Sequence, residues 1–97
     1  MWLERTELVL GETRLRRLAN ARVAVIGLGG VGGAAAEALV RAGVGHMLFT
    51  DGDTVDDTNR NRQILATTET VGMDKISAAE GRYRAINPDG DFTFKKE

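Results

Sequence analysis

Residues 27–33, GLGGVGG, place five glycines in seven positions, directly after the apolar run RVAVI at 22–26 and before the alanine-rich stretch AAAEAL. No other stretch of the sequence restricts the fold as strongly. A β-branched apolar run of strand length predicts a strand covered on both faces. Glycines at that density predict a turn whose backbone comes very close to something, and the alanines and leucines that follow predict a helix packed tightly beside the strand.

The rest of the chain repeats the alternation. Residues 12–19 (ETRLRRLA) predict a short N-terminal helix with Leu15 and Leu18 on one face. After the glycines a helix runs from about Val31 to Ala42, with Gly43 and Gly45 as its stop. His46 to Thr50 (HMLFT) predicts a second strand that runs into Asp51-Gly52-Asp53, and residues 52–69 are polar and without periodicity. Ile76, Ala79, Tyr83 and Ile86 form the apolar stripe of a helix over about Met73–Ile86, and Asn87-Pro88-Asp89-Gly90 ends it. Asp91 to Phe94 opens a third strand. The expected fold class is α/β: a Rossmann-like parallel sheet, built as a βαβαβ half-unit preceded by a short N-terminal helix.

Composition removes several functions. The 97 residues suit one domain, and a net charge of −1 gives no bulk attraction to nucleic acid or to a membrane. Without cysteine the chain has no disulfide, no zinc–thiolate site and no thiol nucleophile. No segment has the length of a signal peptide's apolar region or of a membrane span, so the expected compartment is the cytoplasm. His46, the single histidine, reads as structural. Asp56 and Asp57 read as loop solvation rather than a metal pair, with Asp53 close enough in sequence to keep a metal reading open. Arg14, Arg16 and Arg17 read as a solvated helix face, with contact to RNA phosphates as the alternative.

Gly27-Leu28-Gly29-Gly30-Val31-Gly32 fits G-x-G-x-x-G in the context that gives that pattern its meaning, after a strand and opening a helix. Asp51 follows about 20 residues later, at the end of the next strand, where a carboxylate can accept ribose hydroxyls. The turn and the helix N-terminus suit a phosphate. The fingerprint by itself fits NAD. The following segment, DGDTVDDTNRNRQ with Lys75 beyond it, argues for more charge than a pyrophosphate needs. A lysine in the first turn of a helix opposes the macrodipole by about 0.3 kcal/mol unless an anion offsets it.

GLGGVGG, DGDTVDDTNRNRQ and VGMDK, in that order, resemble the ThiF/MoeB/HesA superfamily, relatives of the ubiquitin-activating enzymes. RTELVLG near the start and INPD near the end are similar to its tRNA threonylcarbamoyladenosine dehydratase branch. The resemblance implies ATP-dependent adenylation of a carboxylate. The carboxylate attacks the α-phosphorus and pyrophosphate leaves; in that branch, the activated threonylcarbamoyl group on tRNA then cyclises with loss of water. It implies that Gly27, Gly29 and Gly30 flank the phosphates and that Asp51, with Asp53 beside it, serves the ribose end. Asn59, Arg62 and Lys75 would contact phosphate oxygens, with Gln63 supporting them. Arg5 matches an arginine that, in family homodimers, enters the neighbouring subunit's site. Arg5, Asn59, Arg62 and Lys75 are thus the expected catalytic set, with ATP and Mg2+ as the expected cofactors and no metal ligand in this chain. The family's magnesium aspartate lies further along. Residues 1–97 are therefore expected to be the N-terminal part of an adenylating domain, with its downstream half absent and no turnover alone. The expected partners are a second copy of the chain and either tRNA or a ubiquitin-like sulfur-carrier protein. An NAD-dependent dehydrogenase and a non-catalytic nucleotide-sensing module are the remaining readings.

Overall fold

A computed structural model describes all residues, 1–97. Three parallel strands, β1 (Arg22–Ile26), β2 (His46–Thr50) and β3 (Asp91–Lys95), form one sheet in the order β1-β2-β3. The register aligns Arg22 with His46 and Asp91 at one end, and Ile26 with Thr50 and Lys95 at the other. Helices α3 (Gly30–Ala42) and α4 (Lys75–Ile86) make the two crossovers. Two crossovers of one hand that step in the same direction must lie on one face of the sheet. Both do, and they pack against each other.

The core lies between that face and the two helices. Phe49 of β2 is its centre, stacked on Phe94 at 4.9 Å between centroids and flanked by Tyr83 at 5.0 Å and Phe92 at 5.8 Å. Ala36 and Ala79 have no exposed surface, so the alanines of α3 and α4 let the helices settle close to the strands. Glu37 of α3 is buried and accepts hydrogen bonds from Arg82 of α4 and from Arg41 one turn along. These bonds, chiefly from Arg82, hold its carboxyl below the ordinary value of 4.5 against the opposing effect of burial. α3 ends where Gly43 adopts φ 96°, as its glycine predicts.

The structure corrects the sequence expectation in four places. Two helices precede the sheet, not one: α1 (Glu4–Leu10) and α2 (Glu12–Asn20), hinged at Gly11 with φ 84°. α1 has no periodic apolar face to betray it, and its Leu8 and Val9 are exposed. β1 is covered on one face only; Arg22, Ala24 and Ile26 point outward, and Ile26 is 75% exposed. A run of β-branched residues cannot by itself distinguish a strand buried on both faces from one buried on a single face. The segment after β2 is not irregular throughout, because Asp57–Asn61 forms a short 3-10 helix. The last helix starts at Lys75 rather than near Met73. On the outward sheet face His46 Nδ1 and Asp91 Oδ2 are 2.9 Å apart, so the lone histidine ties β2 to β3, in keeping with a structural role. No helix is long and apolar enough to cross a membrane.

Candidate functional site

The carboxyl ends of β1 and β2 converge on the glycine turn, and here the backbone explains the glycines. Gly27 has φ 87°, a left-handed conformation that side chains rarely tolerate. A Cβ on Gly32 would collide with the Gly27 carbonyl oxygen, so helix and turn approach as closely as they do only because Gly32 has none. Gly29 and Gly30 differ: a Cβ on Gly30 would meet nothing within 4 Å, and one on Gly29 only Gln63 Nε2 at 3.9 Å. Space is open in front of these two residues. α3 begins at Gly30, and its first-turn N–H groups have no acceptor within the helix.

Asp51 fixes this turn. It is buried at the end of β2; its Oδ2 accepts the Leu28 N–H at 2.7 Å and its Oδ1 accepts the Asp53 N–H at 2.7 Å. Each oxygen retains a lone pair. The Asp53 carbonyl in turn accepts the Lys75 N–H at 2.9 Å, while Val55 N–H donates to the Met73 carbonyl and Gly72 N–H to that of Val55. Residues 53–55 and 72–75 thus zip together, with an antiparallel bridge between Thr54 and Asp74. Three successive hydrogen bonds connect the glycine turn, Asp51, Asp53 and the first residue of α4. Residues more than 40 positions apart are set in one frame.

Lys75 is buried, with its ammonium 4.0 Å from Asp53 Oδ2. The expectation of a cation at the start of a helix is met, and Asp53 is the charge that faces it. Asn59 and Arg62 belong to the 3-10 segment. Asn59 Oδ1 accepts the Asp56 N–H and the Asp56 carboxylate accepts the Thr58 N–H, a capping box. Asp56, read from sequence as a solvated loop residue, is therefore a cap. Its bonds from Thr58 hold its carboxyl below the ordinary range. Arg62 is exposed and donates to the Thr58 carbonyl and to Asn61 Oδ1. Gln63 carries its amide beside Gly29. Hydrogen bonds join the glycine turn through Asp51 to the backbones of Asp53 and Lys75, and Gln63 lies beside Gly29, while Arg62 and Asn59 are bonded within their own segment. Arg5 stands apart. It lies on α1, and its neighbour Leu3 touches Gly43 at the far end of α3, about 20 Å of helix rise from the turn.

The site fits a phosphate chain: an open glycine backbone, helix N–H groups and a lysine. It offers less to a metal, since no three His, Cys, Asp or Glu side chains come together as a ligand group. The contribution of Asp51 to the turn is a further thing the sequence pattern missed. A carboxylate one strand away from a glycine turn can bond its amides as readily as a ribose, and the spacing alone does not tell these apart.

The ThiF family pattern matches residues 3–96. The tRNA threonylcarbamoyladenosine dehydratase of Bacillus subtilis is 51% identical over 85 residues, covering 88% of this chain and 34% of the relative. The sulfur carrier protein ThiS adenylyltransferase of the same organism is 45% identical over 86 residues, 87% of this chain and 26% of its own length. Among solved structures, the Escherichia coli tRNA N6-threonylcarbamoyladenosine dehydratase in complex with ATP superposes with a TM-score of 0.92 at 42% identity, over 96% of this chain and 38% of that one. The chain thus spans about a third of the length of the relatives it matches.

Proposed function

The chain belongs to the ThiF family, and on that premise we propose that residues 1–97 are the N-terminal part of an ATP-dependent carboxylate-adenylating domain, carrying its nucleotide-holding side. The acceptor we propose is the threonylcarbamoyl group of a tRNA, activated for a cyclising dehydration. The single observation that carries this reading is the frame linking Leu28, Asp51, Asp53 and Lys75, with hydrogen bonds of 2.7, 2.7 and 2.9 Å. It fixes the first residue of α4, a lysine, relative to the glycine turn, and a chain of phosphates calls for a cation beside it.

In this reading the turn N–H groups and Lys75 bind and orient the phosphates. The chemistry supplied by ATP is transfer of its adenylyl group to a carboxylate oxygen, with pyrophosphate leaving. Positioning and charge stabilisation suffice for such a transfer, so no side chain need act as a nucleophile. Asp51 keeps the turn in shape and presents its remaining lone pairs towards the ribose. Arg62 leaves its local bonds and joins Asn59 and Gln63 at the phosphates. The distance of α1 from its own chain's turn supports Arg5 acting in the site of a second copy. Mg2+ would draw its main carboxylate from elsewhere than the residues described here.

The test is equilibrium titration of the 97-residue chain with ATP and with NAD, followed by ATP–pyrophosphate exchange with and without the rest of a ThiF domain. Tighter ATP than NAD binding, with exchange only in the longer protein, is the expected result. Tighter NAD binding, unaffected by Arg62→Ala or Lys75→Ala, contradicts it. In the longer protein, stimulation by a carrier protein with a Gly-Gly tail instead of by tRNA would move the acceptor to the sulfur-carrier class, to which the adenylyltransferase relative belongs.

A further inference from the structure

We propose that the Asp53 carboxylate competes with an incoming phosphate for the Lys75 ammonium. This rests on the reading that phosphates lie at the glycine turn, and it gives that site a built-in selectivity for polyanions.

The two residues are held in opposite ways. Asp53 is pinned through its backbone at both ends, its N–H on Asp51 and its carbonyl on Lys75. Its side chain is nevertheless 80% exposed and makes no hydrogen bond with its own oxygens. Lys75 has a buried stem, with a side chain only 8% exposed, so its ammonium can move little. The two charges are 4.0 Å apart, too long for a hydrogen bond. The pair is close enough to attract and too far apart to saturate the ammonium's three donors. A lysine with its stem buried presents its charge at a fixed place.

Such a pair sets a threshold. A phosphate oxygen that reaches hydrogen-bonding distance outmatches a solvated carboxylate at 4.0 Å, because charge-assisted bonds at about 2.8 Å are the strong ones. A weakly bound monoanion gains too little from one lysine to offset the repulsion of the carboxylate. A chain of phosphates, held also by the turn N–H groups, gains enough. Asp53 therefore screens out simple anions. Because the backbone bonds of Asp53 do not involve its side chain, substitution of the carboxylate alone isolates this role.

The probe is inorganic pyrophosphate, titrated into the wild-type chain, Asp53→Asn, Lys75→Met and the double variant, with thermal melts on each. Asp53→Asn is expected to bind pyrophosphate about fivefold more tightly, the effect of one exposed charge at that distance in water. It should melt within a few degrees of wild type. The gain should vanish on the Lys75→Met background, and Asp53→Glu should behave as wild type. Weaker pyrophosphate binding by Asp53→Asn, or an equal gain with Met at position 75, overturns the proposal. So does the absence of pyrophosphate binding by both wild type and Asp53→Asn when ATP still binds. ATP titrated into the same samples tests the nucleotide reading separately: if ATP binds no tighter than pyrophosphate, that reading fails while the competition at Lys75 stands.

Discussion

The two sides of the candidate site are built on different terms. On one side, the glycine turn, Asp51, Asp53 and Lys75 are joined by hydrogen bonds between residues distant in sequence, at the edge of the main core. On the other, Asp56 to Arg62 closes on itself: a capping box, a 3-10 turn and an arginine bonded to its own neighbours. The first cannot shift without disturbing the end of the sheet. The second is held internally by a few exposed bonds, between Val55 and Leu65, which anchor it in the core. Preorganisation on one side and adjustability on the other suits a site that must hold phosphates firmly and still admit a second substrate.

Four substitutions probe that difference, and the expected effects fall in order. Asp51→Ala leaves the buried Leu28 N–H without its acceptor and frees the Asp53 N–H, so it should cost about 3 kcal/mol in denaturant unfolding. A cost below about 1 kcal/mol would mean that the turn holds itself. Glu37→Ala serves as a control beneath the site: it strands Arg82 and should cost about 2 kcal/mol with nucleotide binding almost unchanged. Asn59→Ala removes one arm of the capping box and should cost about 1 kcal/mol. Arg62→Ala should change stability by less than about 0.5 kcal/mol, because its bonds are exposed. It should nevertheless weaken ATP binding about tenfold, at the low end of what a lost charge-assisted bond does. If Arg62→Ala instead destabilises the chain while sparing ATP affinity, the adjustable side of the comparison is wrong.

Acid and alkali act on the covered face of the sheet through Glu37 and Tyr83. Glu37 titrates below 4.5 in the folded chain, so the stability it adds is complete above that value and is lost as pH falls through its lowered folded value. Tyr83, fully buried against Phe49, has its hydroxyl pushed up from 10.0 to about 12 by burial. The stability tied to its neutral form is complete below pH 10 and is lost between pH 10 and 12. Unfolding followed across pH should show both limbs, and Glu37→Gln should flatten the acidic one.

Much of this was legible in the sequence because local rules and the fold agree. The glycine turn, α3 with its Gly43 stop, both following strands and the apolar stripe of α4 rest on periodicity and on residues with special backbone conformations. Most of what escaped rests on contacts between distant residues. α1 has its apolar Leu8 and Val9 in solvent and so carries no amphipathic signal. The open outer face of β1 depends on which helices cover the sheet, and both lie on the other face. The clasp of Asp51 on Leu28 depends on two strand ends meeting. The Asp53–Lys75 pair depends on a hairpin-like zipper that no short window of sequence reveals.

The central claim is that a nucleotide's phosphates lie over the turn and against Lys75. The most direct measurement is amide NMR of the 15N-labelled chain during titration with ATP. The account predicts the largest shifts at Gly29, Gly30, Val31 and Lys75, smaller ones at Asn59, Arg62 and Gln63, and none at Arg22, Leu48 or Thr93 on the open sheet face. Saturable shifts confined to that open face, with the turn and Lys75 unmoved, would contradict it.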